Sequence, residues 1–170
     1  ATFNADSLTM LTPGSMLRLK QLNIGMHFEA VGTCALPINI QADDFLPSST
    51  ISMSSGTMNL EYCIITSVNA TGGASFVANN SFDGGNNSGW TINGPPARIL
   101  YWIGGNGNWN DDAHWATASG GAGGNCIPSA IDDVIFDANS FTQTGDSVKL
   151  TGVQATCRNM DWSQVTNNPR

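Results

Sequence analysis

Apolar residues recur at every second position through the first half of the chain, with polar residues between them. The alternation is plain in "MLRLK" (16–20), "PINIQ" (37–41), "STISM" (49–53) and "MNLEYCII" (58–65). A period of two puts Leu17 with Leu19, Ile38 with Ile40, and Met58 with Leu60 on one face of a strand. Turn formers such as "TPGS", "LPSS" and "ATGG" separate the runs, and helical periodicity is nearly absent. Short strands at this spacing suit a sandwich or a solenoid. Residues 49–93 carry polar corners but no Asn-Gly turn between matched strands, which disfavours hairpins. The pattern therefore predicts a parallel β-helix, in which each coil lays its strands on the coil below. Its expected inward face comprises Leu17, Leu19, Ile38, Ile40, Ile51, Met58, Leu60 and Phe76. Trp90, in "NNSGWTI", is placed to plug the last coil.

The run "NGPPARILYW" interrupts this pattern. Pro95 and Pro96 hold an extended backbone and remove two donors, so a sheet cannot simply continue through them. The chain thus reads as all-β in two parts. Residues 1–94 form the β-helical end of one repeat unit, 95–100 a Pro-rich hinge, and 101–170 a Trp/Gly-rich β-unit opening the next. Strands are expected in "DDVIFD" (132–137) and "SVKLT" (147–151).

Composition narrows the setting. Only 11% of the 170 residues are charged, and the polarity comes from Asn, Ser, Thr and Gly. That balance fits an extracellular β protein better than a helical cytosolic enzyme. A formal charge of −7 with only six Lys and Arg argues against nucleic acid and against an anionic membrane surface. No stretch approaches the roughly eighteen consecutive apolar residues of a membrane-spanning helix. The opening "ATFNADSLTM" has neither a basic start nor an apolar run, so a signal peptide is not expected. The chain then reads as a mature piece or an internal fragment. Four cysteines, none in a C-x-x-C pair, disfavour a structural zinc site. Their even number fits disulfides formed outside the cytoplasm, with Cys34–Cys63 and Cys126–Cys157 as the expected pairs. The alternative is four buried thiols.

The stretch "YWIGGNGNWNDDAHWATASGGAGGN" (101–125) concentrates the candidate chemistry. Trp102, Trp109 and Trp115 are expected to pack as an aromatic cluster closing a small β domain, with glycines supplying the turns between them. A second reading is calcium, which takes six to eight hard oxygens. Asn106, Asn108, Asn110, Asp111 and Asp112 would supply some, with Asp132, Asp133 and Asp137 supplying more. The stretch is neither an EF-hand loop nor a true nonapeptide repeat. A third reading is sugar stacking on Tyr101, Trp102 or Trp109. Catalysis finds less support. Asp43/Asp44 and Asp132/Asp133 are sequence neighbours that point to opposite faces of a strand, so neither makes an acid/base couple. His27 and His114 are solitary, and no Ser-His-Asp or Cys-His order suggests a nucleophile. No catalytic residue and no required cofactor are assigned.

The pattern "YWIGGNGNWNDDAHWATASGGAGGNCIPSAIDDVIFDANSF", followed by "ATCRNMDW", resembles a repeat of very large secreted surface proteins of Bacteroidetes. The preceding "GTMNLEYCIITSVNATGGASFVANNSFDGGNNSGW" resembles the β-helical end of a unit in the same proteins. The resemblance implies an adhesin-like tandem-repeat segment, exported by the type IX secretion machinery and associated in some members with gliding. Neighbouring repeats and surface glycans or polysaccharides are the partners it implies, and the cell surface is its location. The C-terminal sorting domain of such proteins is not recognised in this chain. "DSL" (6–8) and "DSV" (146–148) look like Bacteroidetes O-glycosylation acceptors, which makes Ser7 and Ser147 candidate attachment sites. The competing expectation is a polysaccharide-binding or polysaccharide-degrading β-helix.

Overall fold

The computed structural model describes residues 2–151 and 155–170. The chain is all-β and divides into two compact units, Ala1–Pro96 and Ala97–Arg170. Its one described helix is a single 3-10 turn.

The first unit runs β1 (Thr2–Met10), β2 (Met16–Leu19), β3 (Gln21–Val31), β4 (Ile38–Ala42), β5 (Ser49–Met53) and β6 (Thr57–Glu61). It continues with β7 (Cys63–Thr66), β8 (Val68–Thr71), β9 (Val77–Asn79), β10 (Phe82–Asp83) and β11 (Thr91–Ile92). Among the described residues every strand pair of this unit is parallel. A seven-stranded sheet is ordered β11-β9-β6-β3-β5-β8, with β1 lying along β3. A separate four-stranded sheet is ordered β10-β7-β4-β2. Strand β3 serves two neighbours on one side: Gln21–Ile24 pair with β5 and His27–Val31 with β6.

Register sets inward residues side by side. Leu22 lies beside Ile51, Ile24 beside Met53, Ile40 beside Ile65, and Leu60 between Ala30 and Ala78. All of these are buried. Of the expected inward face, Leu19, Ile38, Ile40, Ile51, Leu60 and Phe76 are buried, while Leu17 and Met58 pack partly buried against them. The outward positions carry polar rungs, such as Asn23 Nδ2 donating to Asn4 Oδ1 at 2.7 Å and Asn93 Nδ2 to Asn79 Oδ1 at 2.9 Å. Trp90 packs against the same core. Its ring meets Phe76 edge-on at 5.2 Å and its Nε1 donates to the Val68 carbonyl at 3.0 Å.

The run 58–65 is not one strand. Tyr62 adopts φ 50° and turns the chain between β6 and β7, and Asn80 repeats the turn with φ 49° between β9 and β10. Gly32 occupies the equivalent level after β3, where a Cβ would come within 2.5 Å of the Tyr62 carbonyl oxygen. Strands β1 and β3 are not among those expected from the sequence: Asp6 and Ser7 break the alternation of β1, whereas β3 alternates without a break from Leu22 to Ala30.

Neither expected disulfide forms. Cys63 and Cys157 are free thiols, whereas Cys34 and Cys126 are disulfide-bonded. Cys63 faces the core beside Ile38, and its Sγ lies 3.4 Å from the Ala30 carbonyl oxygen. Burial pushes that thiol up to about 12. Cys34 instead sits exposed in the loop between β3 and β4. Chain spacing alone does not reveal which cysteines face inward.

The second unit contains β12 (Ile99–Trp102), β13 (Gly107–Asn108), the 3-10 turn (Asp112–His114), β14 (Trp115–Ala116), β15 (Asp133–Ile135), β16 (Val148–Lys149) and β17 (Asn159–Asp161). Its main sheet is mixed and ordered β14-β12-β15-β17. Strand β14 runs antiparallel to β12, whereas β12, β15 and β17 are parallel. Strands β13 and β16 form a separate parallel pair.

Leu60 is 1% exposed between two alanines of its row, where little can collapse into a void. Leu60→Ala is therefore expected to cost about 2–5 kcal/mol. Denaturant titration by circular dichroism measures it, and a change within error would exclude this register.

Candidate functional site

The Trp/Gly stretch folds into an aromatic cluster on the second unit. Strand β12 delivers Trp102 and β14 delivers Trp115, and the two rings meet edge-on at 5.1 Å. Trp109 meets Trp115 in the same way at 4.9 Å, and Phe136 completes the group. The indole donors are satisfied within the loop: Trp102 Nε1 donates to the Gly105 carbonyl and Trp115 Nε1 to that of Trp109, both at 2.8 Å. His114 stacks on Trp102 at 4.6 Å, and its Nδ1 donates to the Ile103 carbonyl at 2.7 Å. Gly107 lies so close to that imidazole that a Cβ would overlap it. Glycine and tryptophan therefore belong together here, because the backbone must lie flat against the rings it encloses.

This burial takes two of the three rings out of the proposed sugar platform. Trp102 is 0% and Trp109 3% exposed, so neither can offer a ring face to a ligand. Tyr101 is half-buried on β12. The more exposed indole is Trp162, which stacks on Phe136 at 4.0 Å.

The calcium candidates are distributed among separate turns. Asn106 Oδ1 accepts from the Ser147 amide at 2.8 Å, and Asn108 Oδ1 from Thr151 Oγ1 at 3.0 Å. Asp111 caps the 3-10 turn by accepting from the Ala113 amide, and the Asp112 carbonyl accepts from the Gly124 amide. Asn110 is exposed. Asp137 accepts from the Asn139 amide at 2.8 Å. Asp133 is bound by Arg158 at 2.7 Å and Asn159 at 2.8 Å, and the Arg158 bond chiefly holds its carboxyl below the usual range. Among the described residues no three His, Cys, Asp or Glu side chains gather where a metal could be held.

Asp132 is 1% exposed and pairs with Arg98 at 2.7 Å. It also accepts from the Ser129 amide and hydroxyl, each at 2.8 Å, while Arg98 reaches on to the carbonyls of Cys126 and Ile127. Burial opposes its ionisation, but the bonds from Arg98 and Ser129 outweigh burial and bring the carboxyl down to about 2. A second buried carboxylate, Asp146, accepts from the amides of Gln143 and Thr142 at 2.9 and 2.8 Å and from Asn106 Nδ2 at 2.8 Å. The Gln143 bond chiefly keeps it below the usual range. The sequence showed neither node, since the partners of each are scattered along the chain. Both carboxylates fasten backbone by accepting from main-chain amides.

The other candidates are also accounted for locally. Asp44 pairs with Arg18, whereas Asp43 accepts from the Phe45 amide at 3.3 Å. His27 bonds Thr57 Oγ1 at 2.8 Å. Ser7 is exposed on β1, while Ser147 Oγ donates to Asn106 Oδ1 at 3.2 Å. No described helix is long and apolar enough to cross a membrane. No family model, curated protein or solved structure matches the chain.

Trp109→Ala should destabilise the second unit by about 3–5 kcal/mol, read from near-ultraviolet circular dichroism during unfolding. An unchanged midpoint would show that the cluster does not hold this unit. Acid supplies an independent measure. The folded Asp132 carboxyl, at about 2, lies below the 3.8 of an ordinary aspartate, so its contribution is complete above about pH 4 and lost as pH falls through about 2. That loss amounts to about 2 kcal/mol and should be missing from the acid limb of Asp132→Asn.

Proposed function

We propose that the chain is a non-enzymatic segment of a long secreted cell-surface repeat protein, extending the polypeptide and mediating surface or glycan contact. The first unit is read as the closing part of a parallel β-helical solenoid and the second as the opening of the next repeat. The observation that carries this reading is the parallel register of the first unit, where successive strands lie side by side with inward residues in rows. Such a scaffold grows by adding coils, each contacting only its neighbours. Disulfide bonding of Cys34 and Cys126 supports an oxidising compartment. The sequence resemblance supports type IX export and a gliding-associated surface, with neighbouring repeats as the first partners.

Brief protease treatment of intact cells carrying the parent gene is expected to release peptides of this chain without lysis. Purified chain should bind surface polysaccharide on a glycan array and leave its length unchanged. Peptides protected until lysis would overturn the surface reading. Shortened polysaccharide would favour the degrading β-helix instead.

A further inference from the structure

Strands β1, β3, β5 and β8 lie side by side, and their outward side chains form two columns on one face of the first unit. One column runs Thr2, Gln21, Thr50, Asn69 and, through an isolated bridge, Ser88. The other runs Asn4, Asn23, Ser52 and Thr71. Every member is a neutral hydroxyl or amide. The neighbouring ladders differ, with His27, Glu29 and Glu61 on the one shared by β3 and β6, and Arg18 on β2. Alternation turns the two columns sideways from the ladder, so a further coil at either end would lengthen them and leave them uncovered. Successive rungs lie about 4.8 Å apart, and the columns stand about 6.6 Å apart along a strand. Part of their bonding capacity joins rung to rung: Asn23 Nδ2 donates to Asn4 Oδ1 at 2.7 Å, and Ser88 Oγ to Asn69 Oδ1 at 2.7 Å. A side-chain amide has two donors and an acceptor, so one such bond leaves others directed outward. Asn4, Gln21, Thr71 and Ser88 are exposed, whereas Asn23, Thr50, Ser52 and Asn69 are half-buried. A cavity of 390 Å³ opens on this face at Asn4 and Asn23, with Asp6 and Gly25 beside them.

We infer that this face binds a linear neutral polysaccharide lying across the strands, with successive sugar residues meeting successive rungs. The inference rests on the glycan contact proposed above and names its site. Hydroxyls and amides both donate and accept, which is what the hydroxyls of a sugar require. Charge selects a neutral polymer. The net charge of −7 repels an acidic polysaccharide, and the columns hold no carboxylate to attract a basic one. No aromatic ring stands in either column, so each sugar is held by hydrogen bonds whose net worth is small. Repetition along the ladder offsets that weakness, because contacts made by one polymer are linked and each raises the local concentration for the next.

In a pull-down, the purified full chain should be retained by microcrystalline cellulose or chitin and not by an acidic pectate gel. Raising salt to about 1 M should leave the retained fraction unchanged, because no ion pair is involved. Thr50→Val combined with Ser52→Ala removes two central hydroxyls at nearly constant shape and should weaken retention at least about tenfold. Gln21→Ala, at an exposed position where folding is not at stake, should weaken it too. Thr57→Val combined with Asn59→Ala, on β6, should leave it unchanged. Undiminished retention by both altered columns would move the contact off this face, overturning the inference while sparing glycan contact itself. Preference for pectate would likewise overturn the inference alone. No retention on any of the three polymers would remove the glycan contact and the inference together. A dimer in sedimentation velocity that the Thr50/Ser52 change abolishes, in place of retention, would make the face a protein interface and equally overturn it.

Discussion

Side-by-side parallel strands must place equivalent residues at equivalent levels, and the first unit depends on that register. Each strand bonds to a neighbour many residues away in sequence, so an error of one position would turn every inward side chain outward. The rows Leu22–Ile51, Ile40–Ile65 and Ala30–Leu60–Ala78 satisfy the constraint with apolar residues throughout. Corners are subject to it too. Tyr62 and Asn80 accept left-handed backbone at matching levels, and Gly32 leaves room where the Tyr62 carbonyl approaches. Asn87 joins two strands of one turn, donating to the Ile65 carbonyl at 2.7 Å and accepting from the Val68 amide at 2.9 Å. Buried amide and peptide groups in such a corner need these partners, because an unmet donor costs roughly 1–3 kcal/mol.

The second unit meets the same requirement with less regular backbone. Its sheet strands are four residues or fewer, so side chains take over much of the fastening. The aromatic cluster supplies apolar area, while Asp132 and Asp146 bind the loops around it. An ionised carboxylate is stable at 1% exposure only when charge and hydrogen bonds replace its lost water, and Arg98 with Ser129 does this for Asp132. Asp132 and Asp133, two of the acidic residues that looked like ligands for an external ion, are thus bonded to the protein's own donors. Strand β14 lies antiparallel on β12 at one end of the sheet, and β17 lies at the other.

Period-two alternation in "PINIQ" and "STISM" was enough to assign strands and inward faces, because side chains on a strand alternate whatever the sheet contains. The break at Pro95 and Pro96 and the aromatic nature of 101–125 were legible for similarly local reasons: a missing donor, and rings too large to leave in water. The turn at Tyr62 was hidden, since tyrosine carries no turn signal and its left-handed φ is imposed by the strands on either side. The cysteines were paired by halves on their spacing, but pairing depends on direction. Cys63 shares an inward row with Ile38 and stays a thiol, a fact visible only after β4 and β7 align. Whether Asp132 holds an ion or an arginine likewise waits on Arg98 crossing from a distant point in the chain. Local pattern determined which residues seek burial and which segments extend. The long-range ladders alone decided which side chains meet, because contact between distant residues is set by register and not by sequence distance.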